Sequence, residues 1–314
     1  MKLIAGTRGS ALAVAQTNLV CNILKEKFPD LDIELKIIKT KGDKILNKAL
    51  DKIGDKGLFV KEIENQLING DIDFAVHSLK DMPSEIDDRL KLTKTPDRAD
   101  ARDVLVINPK HKVENVMEWL KNEENLKIGT GSKRRIAQLL IINRNIQPMP
   151  IRGNIDTRIK KLVDEEMDAI VLAAAGIERL GISTENMYHF NYSEMIPASG
   201  QGALAIEIKK GNTELEKMFA EISTEETELE VVSERAFLKQ INGGCHIPVG
   251  SISEINGDEI TLTAIYGDEE YEKVVTGSKK VKLSDNIEIN LEKAEQAGKE
   301  LADELIKKKK LKSL

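Results

Sequence analysis

The densest concentration of potential chemistry lies between residues 129 and 161. Lys133, Arg134, Arg135, Arg144, Arg152, Arg158, Lys160 and Lys161 fall in a stretch whose one acid is Asp156. It contains two short turns, Gly129-Thr130-Gly131-Ser132 and Arg152-Gly153-Asn154, each where a strand is expected to hand over to a helix. Backbone N–H groups exposed at a helix N-terminus attract anions, and the planar guanidinium fork suits bidentate binding of carboxylate or phosphate. In a chain of net charge −6, such a cluster reads either as a local anion site or as a solvated basic face.

Smaller features carry further options. Lys80-Asp81 follows an expected strand, Phe74 to His77, at the strand end where ligands collect in open α/β sheets; alternatively Asp81 caps a turn before Pro83. Arg8 and Ser10 make a similar turn after the first expected strand. Lys56, between Gly54 and Gly57, lies in a polar stretch that reads as a loop able to close over a ligand, or is a plain surface lysine. Cys245, in Asn242-Gly243-Gly244-Cys245-His246, sits where two glycines mark a tight exposed loop that could present a thiol. Cys21 falls within an amphipathic helix and reads as packed core. His246 and Cys245 are adjacent, so their side chains do not face one another as a catalytic pair. His77, His111, His189 and His246 show no metal-ligand spacing, and no metal site is expected.

The elements that must position these residues alternate between strand and helix. Leu3 to Gly6, Ile33 to Ile37 and Phe74 to His77 read as strands; Ser10 opens one helix, and another runs from about Phe59 to Asn69. The pattern restarts near Val104, with strands at Val104 to Ile107, Lys127 to Gly129, Met149 to Ile151 and Ala169 to Leu172. Helices are expected over Val113 to Lys121, from Ser132 to Ile142, and from Asn154 to Asp164. Such βα units imply mostly parallel sheets with helices on both faces. Ala203 to Ile208 reads as a further strand. Helices near Leu215 to Ile222 and Glu226 to Ile241, strands at Ile260 to Tyr266 and Tyr271 to Thr276, and a final helix from Ile289 to Lys308 suggest an α+β end domain.

Bulk properties narrow the function classes. A chain of 314 residues, 40% hydrophobic and 32% charged, has room for two or three domains. Its acidic balance opposes nucleic-acid binding, which needs phosphate neutralisation, and 4% aromatic residues leave little for base stacking. Two cysteines build no disulfide framework. Met1 to Arg8 lacks a signal-peptide apolar run, and no stretch of about 18 apolar residues suggests a membrane span, so a cytoplasmic protein is expected.

Several stretches occur together in one order: Gly6-Thr7-Arg8-Gly9-Ser10, Lys56 to Glu62, His77-Ser78-Leu79-Lys80-Asp81-Met82-Pro83, Arg152-Gly153-Asn154 with Arg158, Ala198 to Ala203, and Gly243-Gly244-Cys245. In this order and spacing the chain resembles the porphobilinogen deaminases over nearly its whole length. That resemblance implies an α/β fold: two periplasmic-binding-protein-like α/β domains around a cleft, plus a C-terminal α+β domain. The expected division is residues 1–100 with 199–218, residues 101–198, and residues 219–314.

The resemblance also implies a cofactor, a dipyrromethane held by a thioether to Cys245. It implies condensation of four porphobilinogens, each losing ammonia to give a cationic azafulvene that the growing chain attacks, and release of hydroxymethylbilane by water, in tetrapyrrole biosynthesis. Asp81 matches the catalytic aspartate, with Lys80 beside it and Lys56 on the active-site loop. Arg8, Ser10, Ser78, Lys80, Thr130, Ser132, Arg134, Arg135, Arg152, Arg158 and Arg179 match ligands of cofactor and substrate carboxylates. The partners implied are porphobilinogen and the growing polypyrrole, with no nucleic acid, no membrane and a monomeric chain.

The chemistry accounts for the charge pattern. Every pyrrole carries an acetate and a propionate, so a growing chain needs many cations around it, and one carboxylate where positive charge develops. Gly131, Lys133, Gly9 and His246 depart from residues common in the family. The competing reading is a non-catalytic binding protein for small anions, which would need neither an exposed Cys245 nor Lys80-Asp81.

Overall fold

The computed structural model describes residues 1–40, 60–83, 85–183, 186–242 and 247–311. They form two compact units, one of Met1–Ala99 with Gly202–Val231, the other of Asp100–Gln201 with Val232–Leu314. The first unit contains β1 (Lys2–Arg8), α1 (Ala11–Lys27), β2 (Asp32–Ile38), α2 (Lys61–Asn69), β3 (Phe74–Ser78), β4 (Leu90–Leu92), β10 (Leu204–Lys209) and α7 (Thr213–Ala220). Its sheet runs β2-β1-β3-β10-β4. β1 is parallel to β2 and β3, whereas β10 is antiparallel to β3 and β4. One face buries Leu3, Val20, Leu24, Phe74, Ile206 and Phe219 under α1 and α7; the other buries Ile63, Leu67, Ile72 and Ala75 under α2.

The second unit contains β5 (Asp103–Ile107), α3 (Val116–Asn122), β6 (Lys127–Gly129), α4 (Lys133–Ile142), β7 (Gln147–Met149), α5 (Ile155–Asp164), β8 (Ala169–Ala173), α6 (Ala174–Arg179) and β9 (Met187–His189). Its sheet runs β7-β6-β8-β5-β9. Here too the first three strands are parallel, and β5 is antiparallel to β8 and β9. In both sheets the antiparallel strands were not foreseen, because periodicity reports burial and not direction.

After α8 (Glu225–Ile241), β11 (Val249–Asn256), β12 (Glu259–Tyr266) and β13 (Val275–Lys282) form an antiparallel meander, and α9 (Ile287–Leu311) packs on it. Leu262, Ala264, Val275, Leu301 and Leu305 make that interface, with Phe237 and Ile241 of α8. α9 approaches α8 at Gly298, where an added Cβ would meet the Ser233 and Phe237 backbone. The fold is α/β, with this C-terminal α+β portion.

Boundaries moved where a local signal was misread. The strand expected at Met149 to Ile151 is Gln147–Met149, and that expected at Tyr271 to Thr276 is Val275–Lys282. β11 was missed because Val249–Asn256 mixes small and polar residues; its burial is created by pairing with β12.

Candidate active site

In the first unit, β1 and β3 are parallel neighbours, so the turns after them emerge at the same sheet edge. β1 ends at half-buried Arg8. Ser10 then caps α1, its side-chain oxygen accepting from the Ala13 N–H at 3.3 Å. β3 ends at Ser78, whose hydroxyl accepts from Gln16 Nε2 at 2.9 Å. A single 3-10 turn, Leu79–Asp81, follows. Leu79 is buried, and its N–H donates to the Ala203 carbonyl at 3.1 Å. With that anchor, Lys80 is half-buried and Asp81 is exposed.

In the second unit the corresponding turn is Thr130-Gly131-Ser132. Thr130 is buried and its hydroxyl accepts from the Ser132 N–H at 3.2 Å. Arg152 and Asn154 are exposed on the turn before α5, around Gly153 at φ +114°, a conformation that suits glycine. Arg158 Nε donates to the Gly153 carbonyl at 2.8 Å, curling back over the turn. Neither Ser132 nor Asn154 makes a side-chain cap hydrogen bond. Arg179 closes α6, and burial pushes its pKa down to about 10.

Arg134 and Arg135 occupy the first turn of α4, and both are buried. Their common partner is Asp103, which is 0% exposed at the start of β5. Arg134 Nη1 donates to Asp103 Oδ2 at 2.6 Å, and to the Ile196 carbonyl at 2.7 Å. Arg135 donates to Asp103 Oδ1 through Nη2 at 2.6 Å and Nε at 3.0 Å, and through Nη1 to the Val171 carbonyl at 2.7 Å. Gln201 Nε2 adds a donor to Oδ1 at 3.0 Å. Burial alone would raise the Asp103 pKa; Arg134 and then Arg135 override it and hold the carboxyl below the usual range. Lys133, one residue earlier, turns outward to Glu269 at 3.4 Å.

Lys56 and Cys245 lie outside the described residues, as do Gly243, Gly244, His246 and the expected loop around Gly54 and Gly57. Cys21 is buried and its thiol is pushed up to about 11 by burial, which suits packing and not nucleophilic chemistry. Sequence reasoning missed Asp103 and Glu207. Each had a signal: a lone acid in an otherwise apolar five-residue run, Asp103-Val104-Leu105-Val106-Ile107 and Leu204-Ala205-Ile206-Glu207-Ile208.

Two family models match the chain: "Porphobilinogen deaminase, dipyromethane cofactor binding domain" over residues 3–217, and "Porphobilinogen deaminase, C-terminal domain" over residues 228–307. Among curated relatives, the porphobilinogen deaminase of Clostridium novyi is 48% identical over 96% of this chain and 100% of its own length. That of Clostridioides difficile is 47% identical over 96% of this chain and 98% of its own. Among solved structures, a probable amino-acid ABC transporter extracellular-binding protein from Bacillus subtilis aligns with a TM-score of 0.45 at 11% identity, covering 71% of this chain and 90% of that one.

Proposed function

The chain belongs to the porphobilinogen deaminase family, and from that premise we propose how its residues carry the reaction. The activity is that of a hydroxymethylbilane synthase, a transferase of tetrapyrrole biosynthesis. Four porphobilinogens condense head to tail with loss of four ammonias, and water releases hydroxymethylbilane. The cofactor is a dipyrromethane, a covalent primer whose free pyrrole α-carbon accepts the next unit.

The residues present fit that group. Its acetate and propionate carboxylates need cations and N–H donors. The first unit offers the cations Arg8 and Lys80 with the hydroxyls of Ser10 and Ser78; the second, by itself, offers Arg152, Arg158 and Arg179 with the hydroxyls of Thr130 and Ser132. The first turns of α4 and α5 keep backbone N–H groups that no capping side chain takes. Arg134 and Arg135, matched to carboxylate ligands by resemblance, are instead buried against Asp103, and their bonds to it hold the Thr130-Ser132 turn beside them. Cys245 would carry the thioether, and Lys56 is the further lysine assigned to the site; both lie outside the described residues.

Asp81 is the catalytic carboxylate. As ammonia leaves a substrate pyrrole, positive charge develops on the ring, and a fixed carboxylate facing the pyrrole N–H groups stabilises it. Lys80 keeps the neighbouring field positive for the carboxylates. The observation that carries this reading is the exposure of Asp81 at the end of β3, on the edge that also bears Arg8 and Lys80.

No helix among the described residues is long and apolar enough to cross a membrane. We place the protein in the cytoplasm as a monomer of three domains (1–100 with 199–218, 101–198, 219–314), acting on porphobilinogen and the polypyrrole without nucleic acid. Intact-mass measurement of wild type beside Cys245→Ser tests the cofactor assignment. A gain of one dipyrromethane in the wild type alone is expected. A protein that gains no mass when supplied with porphobilinogen overturns it.

A further inference from the structure

We propose that the buried His77–Glu207 pair is a positioning element for Asp81, built into the first sheet for the reaction and not for the fold; the role of Asp81 itself rests on the function proposed for the family site. The pair begins as two anomalies of sequence, a lone histidine in Phe74-Ala75-Val76-His77-Ser78 and a lone glutamate in Leu204-Ala205-Ile206-Glu207-Ile208. Antiparallel register sets Ala205 opposite His77 and Ala75 opposite Glu207. The two alanines leave the space in which the larger side chains meet diagonally, His77 Nε2 to Glu207 Oε2, at 3.1 Å. Glu207 is 0% exposed, and its Oε1 has no hydrogen-bond partner among the described residues. A buried carboxylate with an unanswered oxygen costs stability, so its presence calls for a reason.

The second sheet shows that the fold does not require it. The two sheets share strand order and direction, and their registers align: Gly6 pairs Ala75, which pairs Glu207, as Gly129 pairs Ile170, which pairs Val106. The four positions held by His77, Ala205, Ala75 and Glu207 in the first sheet are Leu172, Val104, Ile170 and Val106 in the second. All four of those are buried and packed in one apolar cluster. The same architecture therefore closes with aliphatic side chains.

The sheets differ in the turn to which that strand leads. His77 stands four residues before Asp81. From the opposite face of β3, Gln16 holds Ser78; on this face the imidazole is tied to β10, whose neighbour Ala203 accepts the Leu79 N–H. Both faces of the strand end are thus fixed just before the chain turns out to present Asp81. Glu64 of α2 adds a third titratable group. Burial and then Glu207 raise its pKa, with His77, Asp87 and Lys61 as the other charges acting on it. The support beneath Asp81 therefore contains hydrogen-bonding, titratable side chains, whereas an aliphatic block would be steric alone.

The test puts the second sheet's residues at the two polar positions of the first, as His77→Leu with Glu207→Val. Replacing a buried pair by apolar residues is often neutral or stabilising, so this variant is expected to fold with an unchanged or higher thermal midpoint. Holoenzyme loading is checked by intact mass. Turnover is expected to fall by roughly ten- to a hundredfold, more in kcat than in KM, with an altered kcat pH profile. Backbone amide exchange should quicken over residues 78–83 and stay unchanged in α1. Wild-type kcat and pH profile in the double variant overturn the proposal. Should that variant not fold, Glu207→Gln carries the same test, and a normal kcat pH profile there overturns the proposal equally. Asp81→Asn measured in parallel separates the two readings. Normal turnover in it removes Asp81 from catalysis; impaired turnover beside an unimpaired double variant removes only the positioning role.

Discussion

The two five-stranded sheets repeat one topology with opposite placement of charge. In the first, the strand-end turns present an exposed carboxylate, Asp81, and the polar pair buried below is His77–Glu207. In the second, the turns present exposed arginine at Arg152, and the buried charge is Asp103 between two guanidiniums. Asp103 opposes the last residue of β8, and the matching position in the first sheet, opposite the last residue of β3, is Leu204. The comparison teaches that the fold specifies where polar groups can be buried but not which. In the second sheet burial is fully answered, with each Asp103 oxygen accepting hydrogen bonds. In the first it is answered in part, since Glu207 Oε1 has no hydrogen-bond partner among the described residues. We read the fully satisfied cluster as a frame for the second sheet and the partly satisfied one as the positioning pair proposed for Asp81.

Asp103→Asn should break the comparison most severely. Removing one partner of a buried ion cluster leaves two arginines uncompensated and typically costs about 3–5 kcal/mol, readable as a drop in urea midpoint at pH 7. The folded pKa of Asp103 is depressed, so its contribution is fully present above the unfolded carboxylate value of about 4 and is lost as pH falls through the folded value. The gap between variant and wild type should accordingly narrow on acidification. A gap that widens would contradict the assignment.

Asp81→Asn should separate site from frame. The side chain is exposed, so stability should change by less than about 0.5 kcal/mol, while kcat falls by roughly a hundredfold or more if the carboxylate stabilises developing charge. Steady-state kinetics beside a thermal melt reads both.

Glu64→Gln should have a smaller effect of opposite sign. Its pKa is raised in the folded state, so the folded chain prefers the protonated carboxyl and loses stability as pH rises through that value. The amide variant should melt higher than wild type at pH 7, with the gain vanishing below about pH 4. A lower melting point at pH 7 would mean that Glu64 is held by favourable contacts.

Lys133→Ala should do least. Lys133 and Glu269 form a solvent-facing pair at 3.4 Å, worth about 0.5 kcal/mol or less. A melt indistinguishable from wild type, with normal cofactor loading, is expected. Defective loading would instead place Lys133 among the carboxylate ligands.

Much of the fold was legible because its signals are local. Ser10, Ser132 and Asn154 stood out as helix starts because short polar side chains before an apolar period favour that position, and α1, α4 and α5 begin just after them. Lys127–Gly129 was legible as a strand between two helical stretches. β4, β9 and β11 were not: each is an edge strand that pairs antiparallel with a single neighbour, a partnership that no local window of sequence contains.

The site divides along the same line. The order of short motifs pointed to the family, and it was that resemblance, not residue type alone, that drew attention to Asp81, Lys80, Arg8 and the arginine-rich turns. Tertiary structure alone decided which charges are spent inside. Asp103 lies 31 residues from Arg134, and Glu207 lies 130 residues from His77. Such pairs are made by strand register and helix packing, which no local window of sequence contains, and the burial that makes them energetically decisive exists only once the chain has closed around them.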